Sequence, residues 1–258
     1  MNKNIYVIGA LLVILFVASP SLQATARRDR SSARQTDYGY VVVRNSKYVV
    51  VVPHALDEAN TELVGEKVAY SLGATLVVNN KYFKATNSRA SSDPEHIEDF
   101  NELDWNGYSY EWDDRVEAMH DFYLDLDRSN RDTVVVFIHG MRDSYGMGAD
   151  IGAGVKWYNG ELLGTDEHPN SGSYTGCITA DLSRVQQLAN TLDRYTDRYC
   201  GMSTYIGGRY AAWDRNTGTQ WFCGTDDESI QIELARTIRN NPSVAAKMVV
   251  RAVRSAYG

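Results

Sequence analysis

The chain has 258 residues, of which 43% are hydrophobic and 23% are charged, and it contains 20 Gly and 5 Pro. This composition excludes collagen-like, disordered and disulfide-knotted proteins, and the length favours a single domain around one core. The formal net charge of −7 makes the nucleic-acid backbone a poor partner, because like charges repel.

An export signal is predicted at the N-terminus. Lys3 precedes an apolar run of 14 residues from Ile5 to Ala18, and Ala24-Thr25-Ala26 fits a small-x-small cleavage site. The run is shorter than the roughly 20 residues that a membrane-spanning helix needs. We therefore expect residues 1–26 to be a cleaved signal peptide, with an uncleaved anchor as the alternative. The mature protein is then secreted or periplasmic, with no membrane contact.

The rest of the chain alternates between strand and helix patterns behind a short polar leader. Residues 27–37 are rich in Arg and Ser and are predicted to form a flexible basic leader to a single domain over 38–258. In chain order, the patterns predict strands at 40–43 and 48–52, a helix at 60–73, a strand at 74–78, a long loop at 84–111, a helix at 113–127, a strand at 133–138, a Gly- and Asp-rich stretch at 142–176, a helix at 179–195, strands and loops at 203–224, and a helix at 243–257. Strands that alternate with helices favour an α/β layer architecture.

Two histidines follow two of the predicted buried strands. His54 comes directly after the run YVVVVP, and His139 comes directly after TVVVFI. In open α/β sheets, ligands bind outside the carboxyl ends of the strands. Glu58 lies four residues beyond His54, which completes a set of two histidines and a carboxylate, and three protein ligands are typical of a catalytic zinc site. The sequence therefore predicts a metal site, with Asp57 as an alternative carboxylate that spacing does not exclude.

The remaining histidines are predicted to have structural or surface positions. His96 and His168 lie in polar loops beside prolines and are expected at the surface, whereas His120 flanks the apolar stripe of its helix and is expected to be half-buried. Other catalytic templates are absent from the sequence, which contains no G-x-S-x-G, P-loop, dinucleotide fingerprint or H-E-x-x-H motif.

Three cysteines, Cys177, Cys200 and Cys223, lie in the C-terminal third of the chain. An oxidising compartment permits one disulfide with one thiol left over, and all three pairings remain open. The odd cysteine is expected to be structural, because none of the three lies in a recognisable nucleophile motif.

Three separated stretches carry a resemblance to a known family. Pro53–Leu63 reads PHALDEANTEL, Val134–Met141 reads VVVFIHGM, and Ser229–Arg239 reads SIQIELARTIR. In this order they resemble the motifs of the N-formylglutamate amidohydrolase and phage poly-γ-glutamate hydrolase family, over about residues 48–240. The resemblance implies a zinc carboxypeptidase-like (phosphorylase/hydrolase-like) fold, in which a mixed sheet has helices on both faces, and one zinc ion.

The resemblance also assigns roles to individual residues. It implies His54, Glu58 and His139 as the zinc ligands. Glu233 is implied as the general base that takes a proton from the attacking water and hands it to the leaving amine. Asn101 matches a substrate-binding position of the family motif Asp-x-Asn-Arg.

Two features depart from the family pattern. The motif Asp-x-Asn-Arg reads Asp-Phe-Asn-Glu here, and Glu102 in place of the Arg cannot hold a carboxylate. Arg89, as a catalytic and substrate-binding residue, or Arg142 is expected to supply the missing cation and to stabilise the oxyanion. The first motif also has one residue fewer between His and Glu than the family members with a Gly-rich turn. The carboxylate ligand can therefore be either Asp57 or Glu58.

The resemblance therefore implies a secreted zinc amidohydrolase that acts on an N-acyl amino acid, a γ-glutamyl compound or a peptide-like polymer. The alternatives are a catalytically inactive family member that acts as a binding module, and a zinc carboxypeptidase. Aromatic residues in the loops are expected to border an extended cleft, with packing as the alternative: Trp105, Tyr108, Tyr110, Trp112, Tyr158, Trp213 and Trp221.

Overall fold

An eight-stranded mixed sheet with helices on both faces organises the chain. The computed structural model describes residues 32–84, 98–103, 114–126 and 132–258, with only the backbone described at 114–116. The strands are β1 (Arg34–Gln35), β2 (Gly39–Val42), β3 (Tyr48–Val52), β4 (Thr75–Asn79), β5 (Val134–Met141), β6 (Ala149–Gly152), β7 (Lys156–Tyr158), β8 (Glu161–Leu163), β9 (Thr204–Ile206) and β10 (Glu228–Ala235). The helices are α1 (Thr61–Leu72), α2 (Asp114–Leu124), α3 (Leu182–Cys200), α4 (Arg236–Arg239) and α5 (Pro242–Tyr257). The expected mixed-sheet α/β class is confirmed.

Four parallel strands form the centre of the sheet. The spatial order is β1-β2-β4-β3-β5-β10-β6-β9, with β7 and β8 in a separate hairpin. β4, β3, β5 and β10 run parallel to one another, whereas β2 and β6 flank them in the antiparallel direction. Every residue of β3 is buried, as its continuous run of β-branched residues predicts. Because parallel strands end at the same edge, the residues that follow β3 and those that end β5 and β10 come together there.

Apolar side chains build a core on each face of the sheet. Val50 and Ile138 lie in the core cluster to which α1, α3 and α5 contribute. Val51 directly follows Val50 on β3, and Phe137 directly precedes Ile138 on β5. Both lie in the core cluster on the other face of the sheet, to which α2 contributes Phe122. Helices therefore cover both faces.

The sheet begins before the predicted start of the domain. Arg34–Gln35 pairs with β2 in antiparallel register. Arg34 Nη2 and Tyr38 Oη donate hydrogen bonds to Asp125 at 2.5 and 2.6 Å, which ties this segment to the end of α2. These contacts join residues that are 91 and 87 positions apart in the sequence. The local composition of residues 27–37 therefore could not predict them.

Two other boundaries also differ from the expectation. The helix predicted at 179–195 is α3, which begins after Asp181, whose carboxylate accepts a hydrogen bond from Arg184 N at 3.0 Å. It ends at Cys200, and Gly201 after it has the left-handed conformation.

The Gly- and Asp-rich stretch at 142–176 contains β6 and the β7–β8 hairpin. These strands have only three or four residues, which is too short to give a clear periodic pattern in the sequence.

One disulfide joins Cys177 to Cys223, and Cys200 is free and half-buried. Cys200 Sγ donates to Thr196 O within α3 at 3.2 Å, in keeping with a structural position. In the described part of the chain, no helix combines the length and the apolar character needed to cross a bilayer.

Candidate metal site and its cavity

Three adjacent strand ends bring the predicted site together. His54 follows β3 by two residues, and His139 lies near the end of β5. Glu233 on β10 is the register partner of His139 across the parallel pair. Residues at the same level of neighbouring strands point to the same face, so His139 and Glu233 share one side of the sheet.

His54, Glu58 and His139 form a compact buried group. One ligand atom from each lies within 4.8 Å of the others. Glu58 Oε1 is 3.1 Å from His54 Nδ1, and Glu58 Oε2 is 3.5 Å from His139 Nδ1. A turn in which Glu58 N donates to His54 O at 3.0 Å explains why the spacing of four residues brings these two side chains together. Asp57 instead accepts the backbone N–H of Lys84 at 2.8 Å, so the structure favours Glu58 as the carboxylate of the group.

Side chains outside the predicted set hold this group in place. Asp99 Oδ1 lies 2.6 Å from His54 Nε2, Gly140 N donates to Glu58 Oε2 at 2.7 Å, and Lys84 Nζ donates to Glu58 Oε1 at 2.5 Å. His139 Nε2 is buried without a partner among the described residues. Asp99 had a sequence signal, because it begins the motif that Asn101 continues, whereas nothing in the sequence marked Lys84.

Burial and neighbouring charges act in opposite directions on these groups. Burial acts to lower the pKa of His54, but the carboxylates of Asp99 and Glu58 together outweigh it and raise that pKa to about 9. Burial lowers the pKa of His139. Burial acts to raise the pKa of Glu58, but His54 and His139 hold it well below its ordinary value. Two imidazoles are thus arranged around an ionised carboxylate.

A cavity of about 310 Å³ opens in front of this group. Its lining includes His54, Lys84, Asp99, Asn101, His139, Lys156, Tyr174, Arg209, Tyr210, Trp213, Gln231 and Glu233. Burial, followed by the charge of Glu58, raises the pKa of Glu233 to about 8. Gln231, two residues before Glu233 on the same face of β10, has a buried Oε1 atom with no partner among the described residues. Its place in the alternation SIQIEL was the signal that could have identified it.

Asp150 holds one wall of the cavity. It is the register partner of Glu233 on β6 and is fully buried. Its carboxylate accepts the backbone N–H groups of Gly208, Arg209 and Tyr210 at 2.9, 2.6 and 2.8 Å. These three bonds fix the start of the loop that follows β9, and two of the three donor residues, Arg209 and Tyr210, line the cavity.

Asn101 also lines the cavity. Asn101 N donates to Asp99 Oδ1 at 2.9 Å, and Gly218 N donates to Asn101 O at 2.8 Å. A Cβ at Gly218 would lie 2.8 Å from Asn101 Oδ1, so a glycine there makes room for the amide. The structure therefore places Asn101 in the cavity lining with His54, His139 and Glu233.

Of the two predicted arginines, Arg142 does not join the described site. Arg142 is exposed at the start of a short 3-10 turn and is absent from the cavity lining described above, because the chain leaves the sheet after Met141. Arg89 lies outside the described residues. The cations that line the cavity are Lys84, Lys156 and Arg209.

The other histidines and aromatic residues have mixed outcomes. The surface position predicted for His168 is wrong: it is buried, with its ring 5.2 Å from that of Tyr158 and 4.8 Å from that of Trp213. His120 is half-buried as expected. Trp213 lines the cavity, whereas the ring of Trp221 packs against Tyr123. The remaining predictions of this kind lie outside the described residues: His96, Trp105, Tyr108, Tyr110 and Trp112.

No protein-family model and no curated protein matches the chain. Similar solved structures include a bacteriophage poly-gamma-glutamate hydrolase, 16% identical, with 83% of this chain and 86% of that chain covered and a TM-score of 0.47. A metallo-carboxypeptidase from Burkholderia cenocepacia is 13% identical, with 91% and 67% covered and a TM-score of 0.48. An N-formylglutamate amidohydrolase from Ralstonia eutropha JMP134 is 11% identical, with 83% and 95% covered and a TM-score of 0.38. Both groups that the sequence motifs resemble are thus represented.

Proposed function

We propose that this chain is an exported zinc-dependent amidohydrolase. Its substrate class is an N-acyl amino acid, a γ-glutamyl compound or a peptide-like polymer. The observation that carries the proposal is the buried group of His54, Glu58 and His139, whose two histidines line one cavity together with the buried carboxyl of Glu233. The three ordered sequence motifs support the same assignment.

The donor set suits a zinc ion. Two imidazole nitrogens and a carboxylate oxygen provide three protein ligands, and the cavity leaves space for water beside them, as in catalytic zinc sites. Asp99 holds the second ring nitrogen of His54, the kind of contact that orients a metal-binding imidazole. A single zinc ion bound by these residues would lower the pKa of a water molecule and polarise the amide carbonyl.

Glu233 is the proposed general base. Its side chain is buried on a strand between two paired strands, which fixes its position relative to His139. A carboxyl with a pKa of about 8 lies close to neutral pH, the range in which a general base and acid works best. Glu233 would accept a proton from the attacking water at its carboxylate and donate that proton to the leaving amine nitrogen.

Asn101 and the cations of the cavity are the proposed substrate contacts. The amide of Asn101 offers a hydrogen-bonding group beside the metal ligands. Lys156 Nζ lies 4.5 Å from the ring centroid of Trp213, and the guanidinium of Arg209 lies 4.2 Å from the ring centroid of Tyr145. Positive charge from β7 and from the loop after β9 would attract a substrate carboxylate and stabilise negative charge on the carbonyl oxygen. They fill the role expected of Arg142, and Arg89 stays a prediction.

An extracytoplasmic location completes the proposal. The Cys177–Cys223 disulfide supports it, because such bonds persist in oxidising compartments. The predicted signal peptide at residues 1–26 would provide the route.

The test begins with metal content. Residues 27–258 are purified and dialysed against metal-free buffer, and zinc is measured by elemental mass spectrometry, with about one ion per chain expected from three ligands. The loaded protein is then incubated with N-formylglutamate, poly-γ-glutamate, and peptides with free or amidated C-termini. Glu233→Gln should keep its zinc and lose hydrolysis, whereas Glu228→Gln, on the same strand but outside the cavity lining, should keep both.

Each alternative gives a different result. Folded protein that neither contains nor regains zinc removes the hydrolase mechanism. Zinc without hydrolysis of any substrate favours a binding module. Cleavage of peptides only when the C-terminal carboxylate is free favours a carboxypeptidase.

A further inference from the structure

Lys84 is a cation placed directly on a carboxylate of the metal-binding group. Its Nζ donates to Glu58 Oε1 at 2.5 Å, and its backbone N–H donates to Asp57 Oδ2 at 2.8 Å. Two consecutive carboxylates therefore hold both its backbone and its side chain. The Lys84 side chain is 27% exposed and that of Glu58 is 8% exposed, so the ammonium reaches inward from the cavity wall to a buried group.

The two oxygens of Glu58 differ in the kind of partner they have. Oε2 accepts from a backbone group, Gly140 N, at 2.7 Å, and this donor is fixed by β5. Oε1 accepts from the side chain of Lys84, which ends a flexible stem and can move. Oε1 also lies 3.1 Å from His54 Nδ1, so Lys84 contacts a Glu58 oxygen that lies beside another member of the metal-binding group.

A buried carboxylate requires a nearby positive charge. Before a metal ion enters, the Lys84 ammonium supplies part of that charge to Glu58, together with His54. A divalent cation bound by Glu58 supplies it as well, and two cations a few ångströms apart in a buried site repel each other strongly. The ammonium and the metal therefore compete for the same oxygen.

We propose that Lys84 is an exchangeable occupant of the metal site, which neutralises Glu58 in the metal-free protein and is displaced from Oε1 when a metal ion binds. The proposal rests on the metal site of the proposed function. Lys84 then lowers metal affinity and stabilises the metal-free fold. A lysine that only oriented Glu58 for the metal would have the opposite effect on affinity, because its removal would loosen a ligand.

The experiment compares the zinc affinity of four proteins by competition with a chromogenic chelator. They are the wild type, Lys84→Met, Lys84→Gln and the matched control Lys81→Met. Lys81 lies three residues away, and its Nζ donates to Thr36 O at 2.6 Å, so this control removes the same charge and stem from outside the site. A hydrogen bond between charged groups sets the scale of the effect, and Lys84→Met should bind zinc on the order of ten-fold more tightly or better. Lys81→Met should bind like the wild type.

A second readout is independent of affinity. The melting temperature of metal-free Lys84→Met should fall below that of the metal-free wild type, because Glu58 loses one of its positively charged partners. The two zinc-loaded proteins should melt at similar temperatures. If Lys84→Met does not fold, Lys84→Gln serves instead, because its amide keeps a donor for Glu58 and lacks the charge.

The outcomes separate this inference from the proposed function. If the wild type binds zinc and both Lys84 variants bind it equally or more weakly, the proposed exchange is wrong. The proposed metal site is not affected by that result. No zinc in the wild type with zinc in Lys84→Met supports the exchange. No zinc in any of the four proteins overturns both proposals.

Discussion

Removing the carboxylate of Asp150 should destabilise the wall of the cavity that follows β9. Asp150 is fully buried and accepts three backbone N–H groups, from Gly208, Arg209 and Tyr210. A hydrogen bond to a charged group contributes about 1.5–3 kcal/mol, and bonds to one carboxylate are not additive. Asp150→Ala should therefore lower the free energy of unfolding by about 3–5 kcal/mol, in the range of the larger single-site effects.

Asp193 provides a matched control on another element. Asp193 Oδ1 accepts a single backbone N–H, from Thr204 at 2.7 Å, at the start of β9. Asp193→Ala should cost about 1.5–3 kcal/mol, because one such bond is lost. Urea unfolding followed by circular dichroism gives both values. Equal losses for the two variants would refute the argument that three converging bonds hold the cavity loop.

A functional consequence follows from the same contacts. Asp150 is not among the group formed by His54, Glu58 and His139, so zinc content should be unchanged in Asp150→Asn. The loop that it holds carries Arg209, which lines the cavity. Hydrolysis of an anionic substrate should therefore weaken mainly through a higher KM. A loss of zinc in folded Asp150→Asn would contradict this division.

Three further predictions test the ligands, the base and the disulfide. His139→Ala should lose zinc while His120→Ala keeps it, as measured by elemental mass spectrometry of dialysed protein. The pKa of Glu233 is raised from 4.5 to about 8, chiefly by burial, so the folded protein binds the proton more tightly than the unfolded chain. The stabilisation that protonation of Glu233 provides is fully present below pH 4.5 and is lost as the pH rises towards 8. In thermal melts of the metal-free proteins across this pH range, Glu233→Gln should not show that loss of stability. Cys177→Ser opens a loop of 46 residues and should cost about 4 kcal/mol in urea unfolding, whereas Cys200→Ser should cost less than about 1 kcal/mol.

The strand-end histidines were predictable because their signal is local. A continuous run of β-branched residues identifies a buried strand, and the first polar residue after it lies at the sheet edge where ligands bind. His54 and His139 both satisfied this rule. The choice of Glu58 over Asp57 needed the structure, because it depends on the turn that returns the chain from His54 and on Lys84, which holds Asp57.

Glu233 was identified by the family resemblance and not by its own pattern. The alternation of Ser229, Gln231 and Glu233 with apolar residues is typical of a strand with one solvent-exposed face. In the structure all three polar side chains are buried, with the last two in the cavity lining. Asp99, Lys84 and Asp150 act through contacts between distant parts of the chain, and such contacts leave no periodic signal.

The register of β10 explains why the site has its present composition. β10 pairs with β5 in parallel and with β6 in antiparallel register, so His139, Glu233 and Asp150 lie at one level across three strands and share one face. One of them belongs to the metal-binding group, one is the proposed base, and one holds the loop that carries Arg209. A shift of β10 by one residue would turn Glu233 into the opposite core and present Leu234 to the cavity. The buried apolar face of Ile230, Ile232 and Leu234 resists that shift, so the apolar half of this strand is what holds its polar half at the site.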